Sequence, residues 1–330
     1  MQKLQDGSTI GTSLSQSIYN YRVENGRTYH SFKVDAGVTY ICPNDEVEND
    51  RLGKANTFLS IFAIVCPRYV LVLTCKHILD LQHHLALMTL GGKLHMAPVG
   101  KDGHKLHRVL DVGTGTGLWA MDIGEEHPEA SVIGIDLSPI QPTIVVPNVQ
   151  FYVDNLDEDW AFDHPFDFVH MRFMLGSVKD WPKWIRQAYL NLNPGGFVEL
   201  CDPINPIVCD DGSVPADSAL LQWNNLLLEA SEKLGAPMNC ALHYKRQLEE
   251  AGFTNVVQHE FKWPINTWPR AQHYKTLGAW SHRNIMEGLE GVSLMLFTNV
   301  LGWSAEAVQL FLVQVRKDLA NRSYHGYWRV

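Results

Sequence analysis

The sequence predicts an α/β fold built on a parallel sheet with helices on both faces. Three observations point there. From Val109 to about Cys201, short β-like runs alternate with helical patterns, the arrangement of βαβ units. The first run leads into a glycine-rich turn that opens a helix. Apolar residues make up 45% of the 330 and charged residues 19%, which suits a sizeable core and excludes a disordered chain.

The elements follow in order. VLDVG, SVIGID, NVQFYV, FDFVHM and GGFVEL read as five strands, nearly continuous in apolar residues because both faces are to be covered. LWAMDIGEEH and DWPKWIRQAYLNL between them read as helices. Beyond Cys201, SALLQWNNLLLEASEKL and CALHYKRQLEEAGF are amphipathic helices, the second ending at Gly252. NVVQHEF is expected as a sixth strand and HGYWRV as the start of a seventh. The expected division is 1–52, an N-terminal lid and helix segment; 53–79, an anomalous insert; 80–108, a helix leading into the core; and 109–330, the main domain. That domain carries helical additions at about 203–251 and 268–321.

Composition excludes several classes. The net charge is −9 with no long basic run, which argues against nucleic acid as the partner. The six cysteines form neither a CxxC pair nor a zinc spacing and are expected as reduced thiols. His83 and His84 are adjacent, about 100° apart on a helix, and do not make a metal pair. The first thirty residues lack an apolar signal core, so a reducing, cytoplasmic location is expected.

Gly53–Leu79 departs from the pattern: it is mostly apolar, with three basic residues (Lys54, Arg68, Lys76) and no acid. Pro67 and Arg68 at its centre argue against a membrane span, since Pro breaks the backbone ladder and Arg is costly there. Joining Leu52 to Asp80 brings Val47, Leu81, Leu85 and Met88 onto one helical face. Gly53-Lys54 can be encoded GGTAAG, which contains a splice-donor-like sequence. The insert is therefore expected to be a retained intron or gene-model error. Deleting residues 53–79 is expected to raise soluble yield and melting temperature, and transcript sequencing to join the Leu52 and Asp80 codons. A less stable deletion protein and no spliced message would make the insert a genuine element.

The chemistry is concentrated in Val109-Leu110-Asp111-Val112-Gly113-Thr114-Gly115-Thr116-Gly117. Glycines let the backbone turn sharply and allow a ligand to lie against it. The dinucleotide fingerprint GxGxxG fails, because its sixth position is Leu118, and no GK[ST] is present to make a P-loop. Asp136 ends the next strand at about the spacing that grips ribose hydroxyls. Asp111 beside the turn suits S-adenosylmethionine, which carries a sulfonium and an ammonium and no phosphate. Asp154 closes the third strand, where an acid can accept from an adenine amino group.

DVGTGTGLWAMDIGEEHP, VIGIDLSPIQP, FDFVHMRF, DWPKWIRQAYLNLNPGGFVEL and LEEAGF resemble the class I S-adenosylmethionine-dependent methyltransferases, and more narrowly the LaeA-like methyltransferases of fungi. YRVENGRTYHSFK, PNDEVENDRL and LQHHLALMTLGGKLHMAP resemble that group too. The likeness covers nearly the whole chain except Gly53–Leu79. Members of the group run directly from DRL into DLQHH and continue past the last YW, so the resemblance implies excision of the insert and a C-terminus cut short. It further implies a Rossmann-like, seven-stranded methyltransferase sheet with the cofactor across the carboxyl ends of the first three strands. Asp111, Gly113, Thr114, Gly115, Thr116, Gly117, Asp136, Leu137, Asp154, Asn155 and His170 are the expected cofactor contacts. Where relatives often carry two acids after the third strand, this chain has Asp154-Asn155, and Asn can still accept a hydrogen bond.

His170 ends the fourth strand as His-Met-Arg-Phe rather than the acid-or-Asn, Pro-Pro, aromatic motif of base methylation. It is a candidate general base, or a residue that packs beside the cofactor. Arg172 is a candidate for a substrate or cofactor carboxylate, or an ordinary ion-pair partner. Tyr21, Arg22, Tyr29 and His30 could fold over the cofactor as a lid or dock on the surface. Trp263, Trp268, Tyr274, Trp280, Phe297 and Trp303 suit core packing, with a few available for a flat apolar acceptor. The expected function is methyl transfer to a small molecule of fungal secondary metabolism. The alternatives are a LaeA-like regulator acting through protein partners, nuclear in that case, and an inactive paralogue.

Overall fold

Five parallel strands form the centre of the protein, in a computed structural model that describes residues 2–3, 21–25, 27–29, 81–100, 105–143 and 145–330. In chain order the described elements begin with three short strands: β1 (Gln2–Lys3), β2 (Arg22–Glu24) and β3 (Arg27–Tyr29). Helix α1 (Leu81–Thr89) and strand β4 (Arg108–Val112) follow. Next come α2 (Leu118–Glu126), β5 (Ser131–Asp136), β6 (Val149–Val153), β7 (Phe166–Arg172), α3 (Trp181–Leu190) and β8 (Leu192–Cys201). The last part runs β9 (Ile204–Val208), α4 (Ala219–Leu234), α5 (Tyr244–Ala251), β10 (Lys262–Pro264), α6 (Gln272–Met295), α7 (Ala305–Ala320) and β11 (Tyr327–Arg329).

The sheet order is β1-β6-β5-β4-β7-β8, with β1 antiparallel at the edge and the others parallel. The chain steps outward from β4 on both sides, which opens a crevice at the carboxyl ends of β4, β5 and β6. Period-two alternation sends Val109, Val132, Phe151 and Phe168 to one face, under Trp119, Ala120 and Ile123 of α2. Leu110, Val112, Val169 and Met171 face the other way, onto Trp181, Trp184 and Ile185 of α3. Helix α3 shows how the sequence encodes this. Asp180 caps it by accepting from Lys183 N at 2.9 Å, Pro182 lies in its first turn, and Trp181, Trp184, Ile185 and Ala188 form its buried stripe.

The expected sixth and seventh strands do not join this sheet. The expected seventh supplies Tyr327–Arg329 to a separate antiparallel sheet, β10-β11-β9, whose other strands are Lys262–Pro264 and Ile204–Val208. All of NVVQHEF lies outside any strand, just before β10; Val257 is 73% exposed, so the segment presents no alternating apolar face to bury. The seven-stranded expectation is thereby corrected to five parallel strands, an N-terminal edge strand and this second sheet.

A third core lies among α1, α4, α6 and α7, built on Leu85, Trp223, Leu227, Leu289, Phe297 and Leu312. Helix α4 is closed at both ends, by Ser218 accepting from Leu221 N and by Gly235 in the left-handed conformation (φ 76°). Trp263 and Phe297 are buried in this layer, and Trp268, Trp280 and Trp303 pack against it, so these aromatics build core rather than an open pocket. Of the residues expected on one face of an uninterrupted helix, Leu81 and Leu85 are fully buried and Met88 packs against the layer. Val47 and the insert 53–79 lie outside the described residues. No helix among the described residues is long and apolar enough to cross a membrane.

Candidate active site

The crevice holds a cleft lined by Gly113, Asp136, Asp154, Asn155, Met174 and Trp184 among others. Each strand that ends there contributes a residue at its tip. Gly113 (φ 65°) and Gly117 (φ 83°) allow the turn between β4 and α2, a conformation that side chains disfavour. The turn is tied to the neighbouring strand: Thr114 N donates to Ile135 O at 3.0 Å, and Gly115 N to Asp136 Oδ2 at 2.9 Å. Asp136 Oδ1 accepts from Ser138 N at 3.0 Å. Burial pushes the Asp136 carboxyl above the usual carboxylate range, while the N–H groups of Ser138, Gly115 and Leu137 pull it back. Leu137 lines the cleft beside it.

At the tip of β6, Asp154 Oδ1 accepts from Asn155 N at 2.9 Å, and Asn155 Oδ1 accepts from Asp157 N at 3.1 Å. This turn presents Asp154, Asn155, Leu156 and Asp157 to the cleft. The Asp157 carboxyl is also raised, by burial first, with Lys179 and Lys183 opposing.

Asp111 and His170 lie beneath the turn, not on the cleft wall. Only 3% of Asp111 and 1% of His170 is exposed. The two are register partners on adjacent strands, and period-two alternation turns both to the α2 face. Asp111 Oδ2 accepts from Thr114 Oγ1 at 2.6 Å, and Asp111 Oδ1 lies 2.8 Å from His170 Nδ1. Because a carboxylate only accepts, His170 carries its proton on Nδ1. The imidazole stacks on Trp119 at 3.6 Å between centroids and 7° between planes. Burial lowers the His170 pKa, with Asp111 opposing. A residue so enclosed supports the glycine turn, and the general-base reading finds no geometry in its favour.

Arg172 is tied to the helical layer. Its Nη2 lies 2.7 Å from His83 Nδ1, while His83 Nε2 lies 2.8 Å from Asp122 Oδ2. A guanidinium can only donate, so Nδ1 accepts and Nε2–H donates to the carboxylate. His83 thus bridges β7, α1 and α2 in its neutral tautomer. His83→Ala is expected to cost about 1–3 kcal/mol of stability, with part recovered in His83→Gln. Urea denaturation of the three proteins checks this. Among the described residues no cluster of three or more His, Cys, Asp or Glu is arranged to hold a metal.

The lid residues separate. Tyr29 is fully buried in the helical core, and Tyr21 is half-buried. The β2–β3 hairpin docks on the turn Leu296–Val300, where Asn25 Nδ2 donates to Thr298 Oγ1 at 3.2 Å and Asn299 Nδ2 to Glu24 Oε2 at 2.8 Å. That is docking on the helical layer. His30 lies outside the described residues.

Sequence reasoning missed Met174, Ser177, Val178 and Trp184 on the cleft wall, and Gln141, whose Nε2 donates to Gly115 O at 2.6 Å and Ser138 O at 3.1 Å. Gln141 stood in a motif that was recognised, but nothing in its residue type signalled a clamp between two loops.

Residues 82–258 match the family model described as a methyltransferase domain. Over 322 residues the chain is 38% identical to methyltransferase pytC of Aspergillus terreus, covering 97% of this chain and 89% of that protein. It is 33% identical over 312 residues to secondary metabolism regulator LAE1 of Cochliobolus heterostrophus, covering 93% and 92%. Against secondary metabolism regulator laeA of Aspergillus fumigatus it is 33% identical over 307 residues, covering 92% and 73%. With a family match across the cleft-bearing sheet and relatives aligned along almost its whole length, the chain belongs to the methyltransferase domain family, in the company of the fungal LaeA-type proteins.

Proposed function

We propose that the protein transfers a methyl group from S-adenosylmethionine to a small molecule of fungal secondary metabolism. The observation that carries this reading is the lining of the cleft, where a bare glycine after β4 comes together with Asp136 at the end of β5 and Asp154 just past β6. Carboxylates there repel a phosphate and suit a ligand bearing hydroxyls, an amine and a sulfonium. The fit has two further supports. Asp136 accepts three backbone N–H groups, fewer than its roughly four lone-pair sites, so it retains capacity for a hydroxyl. A Cβ built on Gly115 would meet nothing within 4 Å, so the turn has open space on that side.

Asp136 would hold the ribose hydroxyls, and Asp154 with Asn155 the adenine amino edge. Leu137 and Trp184 would cover the adenine ring, and the turn Gly113–Gly117 would carry the amino-acid portion. When bound, the cofactor supplies a sulfonium methyl for in-line displacement. Such a displacement depends on alignment and exclusion of water more than on an acid or base. Thr114, Asp111 and His170 fix the turn, and the additions at about 203–251 and 268–321 would cap the acceptor.

Two of the relatives are named secondary metabolism regulators, which motivates a second reading, a regulator that would act through protein partners. Incubation with methyl-labelled S-adenosylmethionine and a fungal extract separates them. Label in solvent-extractable metabolites supports the proposal, whereas label in the protein fraction supports the regulator. Cofactor binding without any transfer identifies an inactive paralogue.

A further inference from the structure

We infer that Asp202 is a positioning residue of the methyltransferase, holding the turn after β7 in the shape that closes one wall of the cofactor cleft. The inference rests on the cofactor reading above and concerns a residue outside that site. Strand β7 is followed by Phe173, which adopts φ 56°, a conformation that bulky side chains rarely take and that surrounding structure must enforce. Phe173 N donates to Cys201 O at 3.0 Å. The next two residues are held by Asp202. Leu175 N donates to Asp202 Oδ1 at 3.1 Å, and the Met174 N–H also bonds to this carboxylate.

What the turn carries gives this its consequence. Met174, Ser177 and Val178 line the cleft, and Met174 packs so closely on Gly113 that a Cβ there would fall 2.2 Å from its sulfur. Asp202 therefore acts at a distance, through the turn, on the contact between Met174 and the glycine loop.

The carboxylate is itself enclosed, with only 4% exposed. Tyr244 Oη donates to Asp202 Oδ2 at 2.6 Å and lies 3.3 Å from Cys240 Sγ. Burial raises the Asp202 pKa to about 7, against the pull of Tyr244, Leu175 and Met174. The titratable groups facing it are Tyr244 of α5, Cys240 just before that helix, and Cys201 of β8, itself acted on by Glu199 and Arg172. Burial pushes both thiols up to about 12, and Tyr244 is raised as well, so none of the three titrates near neutrality. Charge-assisted hydrogen bonds are about twice as strong as neutral ones. The anion thus grips the turn above its pKa, and the neutral acid releases it as the pH falls.

The test is calorimetric titration with S-adenosylhomocysteine from pH 5.5 to 8.5 on the full chain, on Asp202→Asn and on Tyr244→Phe. For the wild type, affinity should fall about ten-fold between pH 8 and pH 6. Asp202→Asn should bind at the weaker level throughout, without that pH dependence. Tyr244→Phe removes a bond that stabilises the anion, so its midpoint should move to higher pH. A purely structural role would weaken both variants equally at every pH. Wild-type and Asp202→Asn profiles of the same shape would overturn the inference while leaving the cofactor reading intact. Failure of the wild type to bind at any pH would sink the cofactor reading and the inference with it.

Discussion

Asp136→Ala is expected to weaken S-adenosylhomocysteine binding by roughly ten- to hundred-fold, because charge-assisted hydrogen bonds contribute about 1.5–3 kcal/mol. Two losses combine in this substitution. The ribose hydroxyls lose their acceptor, and the glycine turn loses the anchor that Asp136 provides to Gly115 N and Ser138 N. Asp136→Asn separates them, since an amide oxygen retains one backbone clamp and gives up the charge; its affinity should fall between the other two. Asp217, exposed and remote from the cleft, supplies the control, and Asp217→Ala should bind as the wild type does. Equal affinities for wild type and Asp136→Ala in calorimetry would remove Asp136 from the site.

The sheet was legible in the sequence because its strands are buried on both faces. VLDV, SVIGID and FDFVHM are apolar at most of the positions that face a helix, and they became β4, β5 and β7. The second sheet was misread for the opposite reason. Its strands β10 and β11 have three residues each, too few for alternation to set a register.

Of the residues singled out in the sequence, Gly113 of the glycine turn, Asp136 and Asp154 line the cleft. Two other ionisable residues singled out there stand short of a strand tip, Asp111 one place before Val112 and His170 two places before Arg172. Asp111 and His170 were expected at the cofactor, yet counting by twos from Val109 and Phe168 puts both under α2. Asp202 escaped notice altogether. Its role depends on Leu175 and Tyr244, which lie 27 and 42 residues away, and no local pattern carries such pairings.

Gly117→Ala is expected to destabilise the protein by about 3 kcal/mol and to abolish detectable cofactor binding. One part of that cost is conformational: at φ 83° an alanine pays roughly 1–2 kcal/mol that glycine avoids. The other part is steric, because the added Cβ would stand 2.4 Å from Cζ of Phe151, and overpacking of a core costs about 1–3 kcal/mol. Phe151 also limits Gly134, where a Cβ would meet its Cδ1 and Cε1 at 2.6 Å, but there no left-handed backbone is involved. The ring therefore offers a way to divide the two costs. In a Phe151→Leu background, Gly134→Ala should lose the part of its penalty due to the ring and keep the part due to Thr114 Oγ1, 2.8 Å from the added Cβ, whereas Gly117→Ala should retain the conformational cost of about 1–2 kcal/mol. Chemical denaturation of the single and double variants measures both couplings. If Phe151→Leu rescued Gly117→Ala completely, the glycine would be needed only for space, and the turn would tolerate a side chain wherever room was made for one.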